Sequence, residues 1–210
     1  KDKALETMEA SSRQSYDDSI KEQVEVVISL LSEINDAYKA GTYTLDEAKK
    51  IAADEVRQMR YGEAGYFWID QSDGTNVVLL GSDTEGTNRM ETEDANGYKM
   101  VKEIIRVAVE DGGGYTDYVF PKEGETKPSP KRSYSEYFEP FDWVVGTGNY
   151  TDYIDTAIAK QNKVFSNYAM KKAITLIGAC VAMLVVVAVL VFMIAQDITK
   201  SLKKVVAEIE

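Results

Sequence analysis

The spacing of hydrophobic residues predicts a long amphipathic helix near the start of the chain. Over residues 16–38, apolar side chains recur every three or four positions, which places them on one helix face. Gly41 ends this helix, and Thr44 and Glu47 have the spacing of a capping box, which predicts a second helix to about Met59. The stripe of the first helix consists of Tyr16, Ile20, Val24, Val27, Leu31, Ile34 and Tyr38.

The pattern then changes to that of β-strands. Segments 65–69 and 76–80 are rich in aromatic and β-branched residues, and Asp73-Gly74 between them is typical of a hairpin turn. A helix is expected next, with Asp94 or Asn96 as its cap. Three further strands are predicted over Tyr115–Phe120, Arg132–Phe138 and Trp143–Tyr150. The sequence therefore predicts an α+β fold with about five antiparallel strands and long helices at both ends.

A final helix is predicted from Thr151 into a long apolar segment. Residues 174–195 carry no charge, and at about 1.5 Å per residue this stretch reaches roughly 33 Å, enough to cross a bilayer core. The alternative is a buried helix of a soluble core, although such helices rarely run so long without a polar face. Lysines flank the segment on both sides, so they do not orient it. Beyond it, Ile198, Leu202, Val205 or Val206, and Ile209 recur every three or four residues, a coiled-coil-like spacing that would need a partner helix.

Composition narrows the possible chemistry. The 210 residues contain 24 Lys and Arg against 35 Asp and Glu, a net charge of -11, which argues against binding to nucleic acid. Histidine is absent from the sequence, and the single cysteine, Cys180, lies in the apolar segment. We therefore expect no enzyme activity, no cofactor and no metal site. The chain starts within a helical pattern without an initiator Met, so we expect it to be part of a longer protein.

Several motifs, in order, resemble the single-Cache (sCache) sensor domains of bacterial transmembrane receptors. They are Arg60-Tyr61-Gly62, GYFWI (65–69), Asp73-Gly74, EGTN (85–88), DANG (94–97), PKRSY (130–134) and WVVGTGNYTDYID (143–155). The resemblance implies a PAS-like Cache domain over 1–173, a transmembrane helix over 174–195 and the start of a cytoplasmic HAMP linker over 196–210. The chain departs from the family pattern at two places. It has Leu79-Leu80-Gly81 where the family often has a His-Pro pair, and Ser201 stands near the position where HAMP linkers usually have a proline.

The resemblance also implies a function. It indicates an extracytoplasmic sensor of a methyl-accepting chemotaxis receptor in the cell membrane, which binds a small carboxylate or amino acid and signals through the membrane helix to the HAMP linker. The alternative is the input domain of a sensor histidine kinase or nucleotide cyclase. Expected partners are membrane lipid, cytoplasmic signalling proteins and a second copy of the chain. The homodimer is expected to form by packing of Val24, Val27 and Leu31 between the two copies.

Aromatic residues on the predicted strands are candidate ligand-binding residues. Because strand side chains alternate, Tyr66 and Trp68 share one face of the sheet. The resemblance implies that this face lines a cavity, and plain packing within the sheet is the alternative. Tyr118 on a later strand is expected either to present its hydroxyl to the same cavity or to pack across the strands.

Cations complete the set of candidates. A cation withdrawn from water is costly unless it gains an anion, which a bound carboxylate would supply. Because strand side chains alternate, only one of Lys131 and Arg132 can point inward. The resemblance to a Lys-x-Ser-Tyr pattern in the family favours Lys131, with Tyr134 donating its hydroxyl to the ligand. The alternative is that both cations are solvated. Arg60 and Arg89 are further candidates because a guanidinium pairs with a carboxylate through two hydrogen bonds. Bracing of a helix against a local acid is the alternative role for Arg60.

Overall fold

The computed structural model describes residues 2–62, 64–122 and 124–207. The chain divides after Ile158 into two compact units. The elements are α1 (Asp2–Lys39), α2 (Leu45–Gln58), β1 (Arg60–Tyr61), β2 (Gly65–Gln71), β3 (Asn76–Leu79), α3 (Met100–Glu110), β4 (Gly114–Pro121), β5 (Pro128–Phe138), a 3₁₀ turn (Glu139–Phe141), β6 (Trp143–Tyr150) and α4 (Thr151–Ala207).

The first unit is built on an antiparallel sheet. Strand β5 pairs with β4 on one side and β6 on the other, and β6 then pairs with β2. The outer edge of β2 pairs with the two-residue strand β1 near its start and with β3 near its end. The predicted α+β Cache architecture is confirmed, and the strand that the sequence did not indicate is β1, which is too short to show any alternation.

Helices α1 and α2 cover one face of the sheet. The Thr44–Glu47 capping box forms as predicted: the Glu47 backbone N–H donates to Thr44 Oγ1, and the Thr44 N–H donates to the Glu47 carboxylate. Val24, Val27 and Leu31 are fully buried against α2 and the sheet of their own chain. The expected homodimer through this stripe is therefore wrong, because an apolar stripe specifies that one face is covered but not by which element.

Helix α3 covers the opposite face of the sheet. Five of its buried residues, Met100, Val101, Ile104, Ile105 and Ala108, form a second core with Trp68, Tyr118 and Val144. The expected helix cap at Asp94 or Asn96 is wrong, because α3 begins later and has no side-chain cap. Instead, the Asp94 carboxylate accepts hydrogen bonds from the backbone N–H groups of Asn96 and Tyr98 and, at 3.0 Å, of Val119 on β4. Asp94 thus fastens the loop before α3 to the sheet.

The second unit consists of helical residues of α4. Its apolar side chains are exposed, and Leu184 in the middle of the uncharged segment is 69% accessible. Within the described residues, Ile158–Lys200 is the one helical stretch long and apolar enough to cross a membrane, and none of its most apolar window is buried. The alternative of a buried core helix does not apply within this chain. The predicted HAMP segment over 196–210 extends beyond the described residues and stays a prediction.

Candidate ligand-binding site

A small cavity lies between the sheet and α3. Its volume is about 10 Å³, which is room for about one water molecule. Any larger ligand therefore requires the surrounding side chains to move apart. The wall combines four aromatic rings, two cations and four apolar side chains: Tyr66, Trp68, Tyr118, Phe120, Arg89, Lys131, Leu79, Met100, Val101 and Ile104.

Lys131 is the buried cation of this cavity. Strand β5 brings it between β4 and β6, where its side chain is only 1% exposed. Its Nζ donates a hydrogen bond to the Tyr66 hydroxyl at 2.9 Å. Four ring centroids lie 4.3–5.5 Å from Nζ, those of Tyr66, Trp68, Phe120 and Tyr150. These rings provide cation–π attraction but no full negative charge.

The amine of Lys131 is not compensated by an acid. Among the side chains that the structure describes, no carboxylate forms an ion pair with Nζ. Burial, and then the nearby charge of Arg89, lower the pKa of Lys131 to about 7. Both effects disfavour the charged form of the amine, and an adjacent anion would favour it again.

Arg89, the second cation, already has its partner. Its Nε and one terminal nitrogen donate to the two carboxylate oxygens of Asp70, at 2.7 and 2.6 Å. Asp70 is fully buried and also accepts a hydrogen bond from the Asn76 amide at 2.9 Å. One carboxylate thus balances one of two cations, so these three charged groups leave one net positive charge beside the cavity, on Lys131 when it is protonated.

Neutral donors complete the polar lining. Burial raises the pKa of Tyr118, which keeps its phenol protonated at neutral pH. The indole Nε1 of Trp68 is buried and has no hydrogen-bond partner within the described part of the chain. The Tyr118 phenol in the cavity wall suits a ligand that accepts hydrogen bonds, as a carboxylate does.

Two predicted site residues do not reach the cavity. Tyr134 lies on the α1 side of the sheet, where its hydroxyl donates to Glu136 at 3.4 Å. Since Lys131 and Tyr134 are three positions apart, strand alternation places them on opposite faces. Arg60 is exposed and donates to the backbone carbonyls of Arg57 and Met59, so it braces the end of α2 through carbonyl groups rather than through an acid.

The other five candidates share the cavity wall. Tyr66, Trp68, Tyr118, Lys131 and Arg89 come together from β2, β4, β5 and the loop before α3. That they bind a ligand stays a prediction. Arg132 points to the other side of the sheet and pairs with Asp17 and Asp117, so alternation on β5 separates the two cations as the sequence indicated.

A second, larger cavity opens at one end of the sheet. The paired part of β2 and β6 ends at Phe67 and Thr147, and the cavity lies beside the residues before Phe67 on β2 and after Thr147 on β6. This cavity has a volume of about 440 Å³ and is lined by Tyr66 and Tyr150, among others. Tyr66 is therefore a wall residue of both cavities.

Comparison with known proteins identifies the family. A model described as Single Cache domain 2 matches residues 12–163. The chain belongs to this family. Two solved structures share the fold of this Cache domain. The periplasmic sensor domain of a chemotaxis protein is 30% identical, with a TM-score of 0.63, over 67% of this chain and 96% of that chain. A Cache chemosensory domain described for carboxylic acid recognition is 25% identical, with a TM-score of 0.64, over 66% of this chain and 95% of that chain.

Two longer proteins match this chain over part of their length. The methyl-accepting chemotaxis protein McpP of Pseudomonas putida is 28% identical over 169 residues, which cover 80% of this chain and 29% of McpP. The sensor histidine kinase MctS of Rhizobium johnstonii is 29% identical over 160 residues, which cover 76% of this chain and 34% of MctS. The chain thus spans about a third of each relative.

Sequence reasoning missed two polar groups of this Cache domain. Asp70 follows four buried aromatic or aliphatic residues on β2, and an acid that continues a buried strand indicates a buried cationic partner. Tyr150 ends β6, where its ring faces Lys131 and its hydroxyl donates to the Pro121 carbonyl at 2.6 Å. Its assignment to the site needs the register of β5 on β6, which places Tyr150 directly beside Lys131.

Proposed function

We propose that this chain is the extracytoplasmic sensor of a transmembrane chemoreceptor and that it binds a short carboxylate beside Lys131. The observation that carries this proposal is a fully buried amine that has no acidic partner within the described structure. Burial of an unpaired cation costs several kcal/mol, and an anion beside it recovers part of that cost. A carboxylate at Nζ would supply the missing charge.

The balance of charge favours a ligand with one carboxylate. Because Arg89 is bound to Asp70 through two hydrogen bonds, only Lys131 offers a charge to the ligand. A second carboxylate would be buried without a cation, which is unfavourable. The apolar wall from α3, with Val101 and Ile104, suits a short hydrocarbon tail. A short monocarboxylate fits these features better than a dicarboxylate.

The relatives support the assignment to a receptor. McpP is a chemotaxis protein, and one related Cache chemosensory domain is described for carboxylic acid recognition. The similarity to MctS supports a second candidate, the input domain of a sensor histidine kinase. The two candidates share the sensing step and differ in the output domain, so sequence that follows residue 210 in the complete receptor separates them.

We propose that α4 transmits the signal of ligand binding from the Cache domain across the membrane. The exposed apolar residues of 174–195 would lie in membrane lipid, with the Cache domain outside the cytoplasm and a HAMP linker after the span. We propose that ligand binding favours one of two placements of this helix, which differ by a shift of about 1–2 Å. Only a difference in ligand affinity between the two states can shift their balance. A homodimer, formed by surfaces other than the buried α1 stripe, would pair two such helices.

Titration calorimetry of the full chain in lipid nanodiscs tests the proposed ligand. The panel contains acetate, propionate, butyrate, succinate and alanine. We expect a short monocarboxylate to release or absorb heat, and we expect Lys131→Met to weaken its binding by at least tenfold, the scale of a lost hydrogen bond to a charged group. Lys127→Met is the matched control, because Lys127 is exposed and lies outside the cavity. Flat heats for every compound would show that the carboxylate proposal is wrong.

A further inference from the structure

The surroundings of Lys131 determine whether its amine carries a proton before and after an anion binds. The inference drawn from them rests on the carboxylate site proposed above and concerns the pH dependence of that site. We infer that carboxylate binding at this site takes up a proton: above neutral pH, the buried amine of Lys131 is neutral before binding and becomes an ammonium ion when a carboxylate lies beside it. The proton comes from the solvent and ends on Nζ, where it forms an ion pair with the ligand.

The titratable groups that surround Nζ come from the strands packed beside it, and none of them is expected to change its charge near neutral pH. From β2 come the Tyr66 hydroxyl and, further off, Asp70, whose charge is paired with Arg89. The faces of β4 and β6 contribute Tyr118 and Tyr150, and burial raises the pKa of both phenols above the ordinary range.

Helix α3 presents apolar side chains to the same cavity, those of Met100, Val101 and Ile104. A carboxylate that enters therefore meets neutral phenols, a neutralised guanidinium and the amine of Lys131. Of these groups, only the amine can change its charge in response to the anion near neutral pH. The geometry thus assigns proton uptake to Nζ.

The expected pH dependence follows from the protonation of the free site. Burial and the charge of Arg89 lower the pKa of Lys131 to about 7, and a bound carboxylate favours the ammonium form and raises it again. Below about pH 7 the amine is already charged, so affinity for the anion is constant there. Above that pH, binding requires one proton, and affinity falls by about tenfold for each pH unit.

This linkage changes what the sensor measures. When binding takes up one proton, occupancy depends on the product of the anion and proton concentrations. The dissociation constant of the acid equals this product divided by the concentration of the undissociated acid. The product is therefore proportional to the concentration of the undissociated acid. Above neutral pH the site would therefore respond to the undissociated acid, and at lower pH it would respond to the anion.

Calorimetry in two buffers tests the inference. The full chain in nanodiscs is titrated with propionate, or with whichever acid of the panel binds, at about pH 8 in phosphate and in Tris, which differ widely in their heat of ionisation. We expect the two observed heats to differ by the equivalent of nearly one proton per ligand. We expect this difference to vanish at about pH 6, where Nζ is already protonated.

Two variants sharpen the test. Lys127→Met removes an exposed lysine from the segment between β4 and β5 and should leave the proton uptake unchanged. Lys131→Arg keeps a permanent cation, so a carboxylate that binds to it should give equal heats in both buffers. If Lys131→Arg fails to fold, the wild-type chain and Lys127→Met still decide the question.

The possible failures are distinguishable. Tight carboxylate binding with equal heats in phosphate and Tris at about pH 8 would overturn the proton linkage and leave the carboxylate site intact. The same holds for an affinity that does not change between about pH 7 and pH 9. A complete lack of binding at every pH would overturn the carboxylate site itself, and with it the linkage.

Discussion

Lys131 affects stability and binding in opposite directions. In the unfolded chain its amine keeps a proton up to the ordinary pKa of 10.5, whereas the folded chain releases that proton at about 7. Between these two values the unfolded state binds more protons, so the free energy of unfolding rises with pH. Below the lower value, the full penalty of the buried charge is present.

Replacement of Lys131 by Met should therefore stabilise the folded domain. At about pH 6 we expect the free energy of unfolding to rise by roughly 1–3 kcal/mol, because an apolar side chain of similar length removes an unpaired buried charge. Between pH 7 and pH 9 the gain should shrink as the wild-type amine is neutralised. Guanidinium titrations followed by tryptophan fluorescence measure this, since both tryptophans, Trp68 and Trp143, lie in the first unit. An equal pH slope for both proteins would contradict the buried-charge argument.

The candidate residues show how much of the site the sequence could predict. Alternation on β2 correctly placed Tyr66 and Trp68 on one face, because a strand turns its side chains by a fixed period. The same rule, applied to β5, excludes Tyr134 from the face of Lys131. The contact of Arg89 with Asp70 could not be predicted from local sequence patterns, since a turn, a short strand and a loop with no regular spacing of residues separate the two partners in the chain.

At the scale of elements, the contact of β6 with β2 holds the indole of Trp68 in place. Gly146 lies opposite Trp68 in the strand register, and a Cβ atom at position 146 would overlap the indole ring. A glycine is required here because the ring occupies the space of a side chain. The position of the cavity wall thus depends on a residue of the neighbouring strand.

Gly146→Ala should push the indole towards the cavity. We expect carboxylate affinity to fall by at least tenfold and the free energy of unfolding to fall by about 1–3 kcal/mol, the usual cost of overpacking. In the double variant Gly146→Ala with Trp68→Phe, the smaller ring should recover most of the lost stability, which a double-mutant cycle measures. Trp68→Phe alone is the matched control. Additive effects of the two substitutions would contradict this contact.

At the scale of the whole molecule, the two units pose different folding problems. The first buries its apolar residues in two cores on either side of the sheet. The second exposes its apolar side chains along α4. Exposed apolar surface of this extent needs another environment, which a lipid bilayer would provide.

A membrane fractionation tests this environment. We expect the full chain to stay in the membrane pellet after an alkaline carbonate wash and a chain without 174–195 to be released. Val186→Arg places a charge near the middle of the segment and should reduce insertion, since arginine at a helix centre costs about 2.5–3.5 kcal/mol. Val186→Leu is the matched control. Release of the unaltered chain into the soluble fraction would contradict a membrane span.

The sequence by itself determined the helices, most of the strands, the capping box and the uncharged apolar segment. Each of these depends on local backbone geometry, because a period of 3.6 or 2 residues, or a cap three residues long, is contained in a short segment. The same locality explains why alternation along β5 is enough to separate Lys131 from Arg132.

Only the tertiary structure decided which surfaces meet. It placed the α1 stripe against its own sheet, joined Arg89 to Asp70, and left Lys131 as a buried cation among aromatic rings. A hydrophobic period shows that a face is covered, and a charge in a strand shows that a partner is needed. The identity of the covering element and of the partner depends on contacts between residues far apart in the chain, which local periodicity does not encode.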